Sequence, residues 1–288
     1  KEAEVNNIVE KKAKLQTKDI QSSRILDLNI YPQISKLSQN YWFRYILKTN
    51  EGQTDIYHKM KIVFSHRESN SNSVYIIDKI SDTYINGKLP NLCMEELAHE
   101  TGKVFYPIII EFGKNFQLDS IRNHEEIKAR WKNSILPHVS LRYSGEIVQK
   151  YLSKMALVIE SKNQLEELFR KDLFIQNLFN VYYGDMSQYK KLSTVNFPLG
   201  KFTTIPFSIN SELDEYLTTK GDIRITQEGV KLRKVSLSQA NFVEDDSIRY
   251  QSSALLDKNT KLLKESVSEW NFSDEEKIIK LIIRKAQE

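Results

Sequence analysis

The pattern of apolar and polar positions changes period several times along the chain. From Tyr41 to Lys48 the residues are mostly aromatic and aliphatic, Asn50-Glu51-Gly52 supplies a turn, and Asp55 to Phe64 sets Ile56, His58, Met60, Ile62 and Phe64 on one face. An apolar face with a period of two is that of a half-buried strand, so this stretch predicts a hairpin. Ser69 to Ser73 reads as a polar loop, and Val74 to Ile85 as a long strand with Ile76 and Ile80 on one face and Tyr75 and Ile77 on the other. A short helix is expected over Met94 to Glu100, then a strand over Val104 to Phe112, a turn at Gly113-Lys114-Asn115 and a strand over Phe116 to Ile121. Asn123 with Glu126 has the spacing of a capping box, opening a helix that carries Ile127, Trp131 and Ile135 and stops at Pro137.

Gly145 to Tyr183 has helical spacing. Ile147, Val148, Tyr151, Leu152, Met155 and Ile159 form a stripe opposite Glu146, Lys150, Lys154 and Glu160, and a second helix carries Leu165, Leu168 and Phe169. From Leu173 the pattern is apolar almost all round, through Phe174, Ile175, Leu178, Phe179, Val181, Tyr182 and Tyr183, until Gly184. Such a segment is either sandwiched between layers or shows one side to a partner. Alternation then returns over 201–209, 222–226, 230–237, 247–256, 262–272 and 277–285, with a turn at Gln227-Glu228-Gly229.

Strands, a block of helices and strands again predict an α+β protein: a predominantly antiparallel, curved β-sheet of about 11 strands with the central helices packed on it. Two arrangements satisfy this order, a single curved sheet holding the helices in its concavity or two β-lobes separated by the helical block. The corresponding segments are a polar arm or tether over 1–24, an N-terminal β-rich half ending in a helix over 25–140, a helical block over 141–195 and a C-terminal antiparallel half over 196–288.

Composition narrows the chemistry. With 288 residues, 40% hydrophobic and 28% charged, the chain is long enough for a sizeable core and has the make-up of a soluble globular protein. Its 42 Lys and Arg against 38 Asp and Glu leave a net charge of +4, spread along the chain and too weak to argue for nucleic acid; Lys11-Lys12, Lys190-Lys191 and Lys231-Leu232-Arg233-Lys234 read as solvated faces. The single Cys93 allows no intramolecular disulfide, and neither His99-Glu100 nor His124-Glu125-Glu126 has the second histidine a zincin requires. His58 on its apolar strand face reads as a core or rim histidine. Gly-x-Ser-x-Gly elbows and glycine-rich phosphate loops do not occur, so neither cofactor, metal nor enzymatic activity is expected. The chain opens at Lys1 without a Met or an apolar leader, so a processing boundary is expected there, and the usage of Lys, Ile, Asn and Ser is that of an AT-rich bacterial genome. The compartment stays open between the cytoplasm and the periplasm or outer membrane.

By element order, the single-sheet arrangement resembles the lipoprotein-carrier half-barrels of the bacterial envelope, and that resemblance implies a wide sheet with a helical lid. Two non-enzymatic functions follow. One is a protein–protein interaction module, such as an adaptor, chaperone or accessory subunit of a bacterial secretion or envelope assembly, whose partner is another protein. The other is a half-barrel carrier of a lipid or hydrophobic peptide. The large residues expected to face inward, Met60, Ile62, Phe64, Ile76, Ile108, Ile110 and Trp270, fill the interior and favour the interaction module. Candidate binding residues are Phe174, Phe179, Tyr182 and Tyr183, which serve as core or as an aromatic interface.

Overall fold

The fold is seen in a computed structural model that describes residues 23–32, 38–67, 72–113, 116–179, 181–200, 203–234 and 242–286. Nearly all of the N-terminal arm with Lys11-Lys12, most of the 69–73 loop and Lys114-Asn115 lie outside the described residues. The strands are β1 (Asn29–Ile30), β2 (Ser38–Thr49), β3 (Gly52–Arg67), β4 (Ser73–Lys79), β5 (Tyr84–Ile85), β6 (Ile108–Phe112), β7 (Leu118–Ile121), β8 (Gly184–Asp185), β9 (Lys190–Phe197), β10 (Ile205–Leu213), β11 (Asp222–Lys234), β12 (Phe242–Asp257), β13 (Leu263–Phe272) and β14 (Lys277–Lys285). The helices are α1 (Cys93–Gly102), α2 (His124–Arg130), α3 (Leu136–Arg142), α4 (Glu146–Glu160), α5 (Lys162–Arg170) and α6 (Leu173–Phe179).

Twelve strands form one antiparallel sheet in the order β7-β6-β4-β3-β2-β14-β13-β12-β11-β10-β9, with β5 beside β3; β1 and β8 pair separately. The C-terminal strand β14 lies between β2 and β13, with Leu281 opposite both Tyr45 and Ser268. The first and last parts of the chain therefore share a sheet, which is the single-sheet arrangement. Alternation gives that sheet one apolar face: along β12, Ile248, Tyr250, Ala254 and Leu256 are buried while Arg249, Gln251 and Ser253 are exposed. One row of this inner face runs Ile56, Tyr45, Leu281, Ser268, Ser252, Gln227, Ser211, Lys191, each opposite the next. It is apolar at the β3 end and polar at the β9 end.

Several local expectations change. The strand read over Val74 to Ile85 stops at Lys79, because the Ile80 and Lys59 backbones and the Ser81 hydroxyl bond one another and peel the chain away before β5. Ile76 faces outward, opposite to Tyr75 and Ile77. Val104 and Phe105 belong to a 3₁₀ turn, and β6 begins only after Pro107, which has no N–H to give a ladder. Pro137 does not end its helix; a π-turn over Trp131–Ile135 joins α2 to α3, with the proline in the first turn of α3, where its missing donor costs nothing. No turn forms at Gln227-Glu228-Gly229. There β11 runs straight through, and a Cβ on Gly229 would lie 2.9 Å from the Ser208 carbonyl and 3.3 Å from the Tyr250 ring, so the glycine makes room for that ring. The apolar helical end closes at Phe179 rather than Gly184, β9 arises within the segment read as helical, and Ile147 is 72% exposed.

Asn123 occupies the helix start but does not cap it. Its Oδ1 accepts the Ile109 N–H at 2.9 Å and its amide donates to the Pro107 carbonyl at 2.9 Å, pinning α2 to β6. Asn123→Ala leaves the Ile109 N–H unpaired, while the Pro107 carbonyl keeps the Arg130 guanidinium at 2.9 Å, and should cost about 2–3 kcal/mol, against about 1 kcal/mol for a lost cap. Trp131→Ala, at a fully buried site, should cost about 3–5 kcal/mol. Urea titration of the two variants checks both, and a loss near 1 kcal/mol for Asn123→Ala would reassign the side chain to capping.

Candidate functional site

Phe174, Phe179, Tyr182 and Tyr183 are all at most 4% exposed. The Phe174 ring meets Phe43 edge-on at 5.5 Å, Phe179 stacks on Phe112 at 4.3 Å and meets Tyr75 at 5.0 Å, and Tyr183 lies 5.7 Å from Phe116. The segment is apolar all round because it is packed all round. As a surface for a partner these four residues are therefore corrected to core, since burial leaves none of them an exposed face.

Tyr182 is held by a polar network. Its hydroxyl lies 2.6 Å from Ser252 Oγ and 3.0 Å from Ser268 Oγ, and the Ser268 hydroxyl donates to Asn177 Oδ1 at 2.9 Å. Gln227 donates to the Val181 carbonyl at 2.8 Å and to Ser211 Oγ at 2.9 Å, while its Oε1 accepts the Tyr250 hydroxyl at 3.0 Å. Burial raises the Tyr182 phenol above its ordinary range, tempered by the bonds to Ser252 and Ser268, so it acts as a neutral donor and acceptor. At the other end of the concavity His58 lies 4.9 Å from Phe43, and burial together with the nearby Lys79 ammonium pushes its imidazole down to about 3. It is a neutral ring at physiological pH.

The interior beside these aromatics is filled. Phe179 and Tyr183, with Tyr41, Ile62, Phe64 and Tyr75, border an apolar cavity of about 20 Å³, room for about one water. A much larger groove, about 640 Å³, lies between the helices and β9. Glu167, Arg170, Lys171 and Gln176 form its helical wall, Lys191 and Ser193 to Asn196 its sheet wall, and Val181 and Tyr183 to Asp185 part of its lining.

α5 and α6 meet both edges of the twelve-stranded sheet here. Edge β7 is occupied: Arg170 donates to the Leu118 and Asp119 carbonyls at 3.2 Å each, and Glu166 accepts the Ile121 N–H at 3.1 Å. Among the described residues edge β9 is held at one end only, where Gln176 donates to the Asn196 carbonyl at 3.2 Å. The Asp214 N–H bonds the Arg224 carbonyl on the β11 side, so antiparallel alternation turns Phe207, Ile209 and Ser211 toward β9. Their partners Val195, Ser193 and Lys191 complete the ladder, which leaves the backbone N–H and C=O of Leu192 and Thr194 pointing away from the sheet. Among the described residues these groups meet no partner.

Lys191 lies on the inner face of this edge. Its Nζ donates to the Tyr183 carbonyl at 2.7 Å, and burial lowers its pKa. It crosses Gly184, whose φ of 142° suits glycine and where a Cβ would lie 2.6 Å from Nζ. Arg170 and Lys171 are compensated by Glu166 and Glu167 at 3.4 and 2.8 Å; Lys191 has no carboxylate partner among the described residues. Neither β9 nor Lys191 belongs to the sequence-predicted site. The available signal was the alternation Lys191, Ser193, Val195, Phe197 against Lys190, Leu192, Thr194, Asn196.

No protein-family model matches the chain, and no curated protein matches it. Among solved structures the chain is similar to one described as an outer membrane lipoprotein-sorting protein domain from Vibrio parahaemolyticus, at 7% identity and a TM-score of 0.22, over 87% of this chain and 86% of that one. Superposition at that level assigns neither a shared fold nor an activity.

Two outcomes follow from the network and from His58. Tyr182→Phe strips the hydroxyl that Ser252 and Ser268 share and should cost about 1–2 kcal/mol in urea titration. The folded pKa of His58, about 3, is below the ordinary 6.5, so the unfolded chain binds more protons between these values; the stabilisation is complete above pH 6.5 and is lost as pH falls toward 3. From pH 6.5 to pH 5 the native chain should lose about 2 kcal/mol relative to His58→Gln.

Proposed function

We propose that this protein is a non-catalytic protein-binding module that takes up an extended segment of another protein as an added strand along β9. The observation that carries the reading is the outer edge of β9, where Leu192 and Thr194 face away from β10 and meet no partner among the described residues, beside the 640 Å³ groove. An unpaired strand edge is a template for another chain, and β-strand addition supplies affinity through main-chain hydrogen bonds. The contrast within the molecule adds weight: side chains of α5 bond the backbone of β7, whereas among the described residues the helices bond the outer backbone of β9 only at the Asn196 carbonyl.

A cavity of about 20 Å³ has no room for an acyl chain, which favours this reading over a carrier of lipid. The buried hydroxyls of Tyr182, Ser252 and Ser268 bond one another and Asn177, an arrangement that supports packing rather than turnover. Among the described residues no helix is long and apolar enough to cross a membrane. A module that holds an extended chain suits an adaptor, chaperone or accessory subunit of a bacterial secretion or envelope assembly.

The test selects binders from a phage-displayed library of random dodecapeptides and measures them by fluorescence anisotropy. Thr194→Pro removes an outward N–H while leaving the β9–β10 ladder intact, and should weaken the selected peptides by about tenfold or more with little change in Tm. Bound peptide should also slow hydrogen exchange at the Leu192 and Thr194 amides. Selected peptides that bind Thr194→Pro unchanged, protection confined to other strands, or a library that yields no binder would overturn the reading.

A further inference from the structure

Resting on that reading, we propose that Lys191 makes the β9 groove selective for an extended segment that carries an acidic side chain on its inward face. Lys190 and Lys191 are adjacent but have opposite surroundings. Lys190 points to the outer face, is exposed and pairs with Glu212 at 3.0 Å. Lys191 points inward beside the groove, where one of its three N–H donors is used by the Tyr183 carbonyl and the other two have no described acceptor. Burial disfavours its charged form, and a carboxylate placed against it would recover that loss through a charge-assisted bond in a partly dehydrated site.

Charge around the groove points the same way. Arg170 and Lys171 are neutralised by the glutamates of α5, and the remaining carboxylate of the lining, Asp185, is exposed and accepts the Ser187 hydroxyl at 3.2 Å. The uncompensated positive charge is thus the Lys191 ammonium. One ammonium suits a single carboxylate, and the exposed Asp185 carboxylate at the rim would repel a doubly charged phosphate more strongly. Position within the strand sets the pattern. Lys191, Ser193 and Val195 share the inner face, so an added strand would place an acidic, a small polar and a small apolar residue at alternate positions beside them. The Gln176–Asn196 bond pinches the far end, which puts the acidic residue toward the open end of the groove.

The probe is an acetylated, amidated dodecapeptide that alternates threonine and valine between terminal serine–asparagine pairs, made once with a central inward glutamate and once with glutamine. At low salt the glutamate peptide should bind the native protein about tenfold more tightly than the glutamine peptide. In Lys191→Met the ratio should fall to near one. In the native protein, with no substitution, the same ratio should shrink as salt rises from 50 to 500 mM, so the inference remains testable if Lys191→Met folds poorly. Equal binding of the two peptides with Leu192 and Thr194 protected from exchange would overturn the role of Lys191 and leave the edge reading standing. If neither peptide protected β9, the edge reading would fail and this inference with it.

Discussion

The hydrogen bonds that join Tyr182 and Asn177 to the serines of β12 and β13 decide where α6 lies, and most of the molecule follows from that position. Ser211, Gln227, Ser252 and Ser268 stand opposite one another across four strands. Small side chains in this row let the chain after α6 come down onto the sheet, and their polarity gives the Tyr182 hydroxyl, the Asn177 amide and the Val181 carbonyl partners where water is excluded. An apolar row would have left those groups unpaired at a cost of about 1–3 kcal/mol each. The aromatics on either side, Phe174 against Phe43 of β2 and Phe179 against Phe112 of β6, then pack those two strands onto the same helix.

With α6 seated, α5 is carried past one end of the sheet and α6 past the other. An open sheet must deal with two edges, and here the two are treated differently. A guanidinium and a carboxylate of α5 take the backbone groups of β7, whereas the outward backbone groups of Leu192 and Thr194 on β9 meet no partner among the described residues. The space left beside β9 is the large groove, so the groove and the filled core are consequences of the same helix placement. A half-barrel with an empty interior would need that helix elsewhere.

Electrostatics follows burial more than it follows sequence neighbourhood. Two consecutive lysines differ because strand alternation sends one to solvent and Glu212, and the other over Gly184 toward the Tyr183 carbonyl. His58 shows the same rule from inside: ringed by Phe43 and near Lys79, it loses its proton affinity and serves as a neutral packing group.

The antiparallel α+β class, the β2–β3 hairpin with Ile56, His58, Met60, Ile62 and Phe64 on one face, and the burial stripe of α4 through Val148, Leu152 and Ile159 are legible in the chain, because period and turn residues are local properties. That Phe174, Phe179, Tyr182 and Tyr183 lie buried, that Gly229 sits within a strand and that Asn123 ties to β6 are decided by contacts from residues far away in sequence, to which no local window has access. β9 is the plainest case. Its residues alternate weakly because an edge strand has one partner, so its outer face is exposed and its inner face mostly half-buried, and it is a strand because β10 offers a ladder from across a loop. Whether Lys191 would be a solvated charge or a half-buried one depended on which parity that ladder took, a choice that only the pairing of whole strands can make.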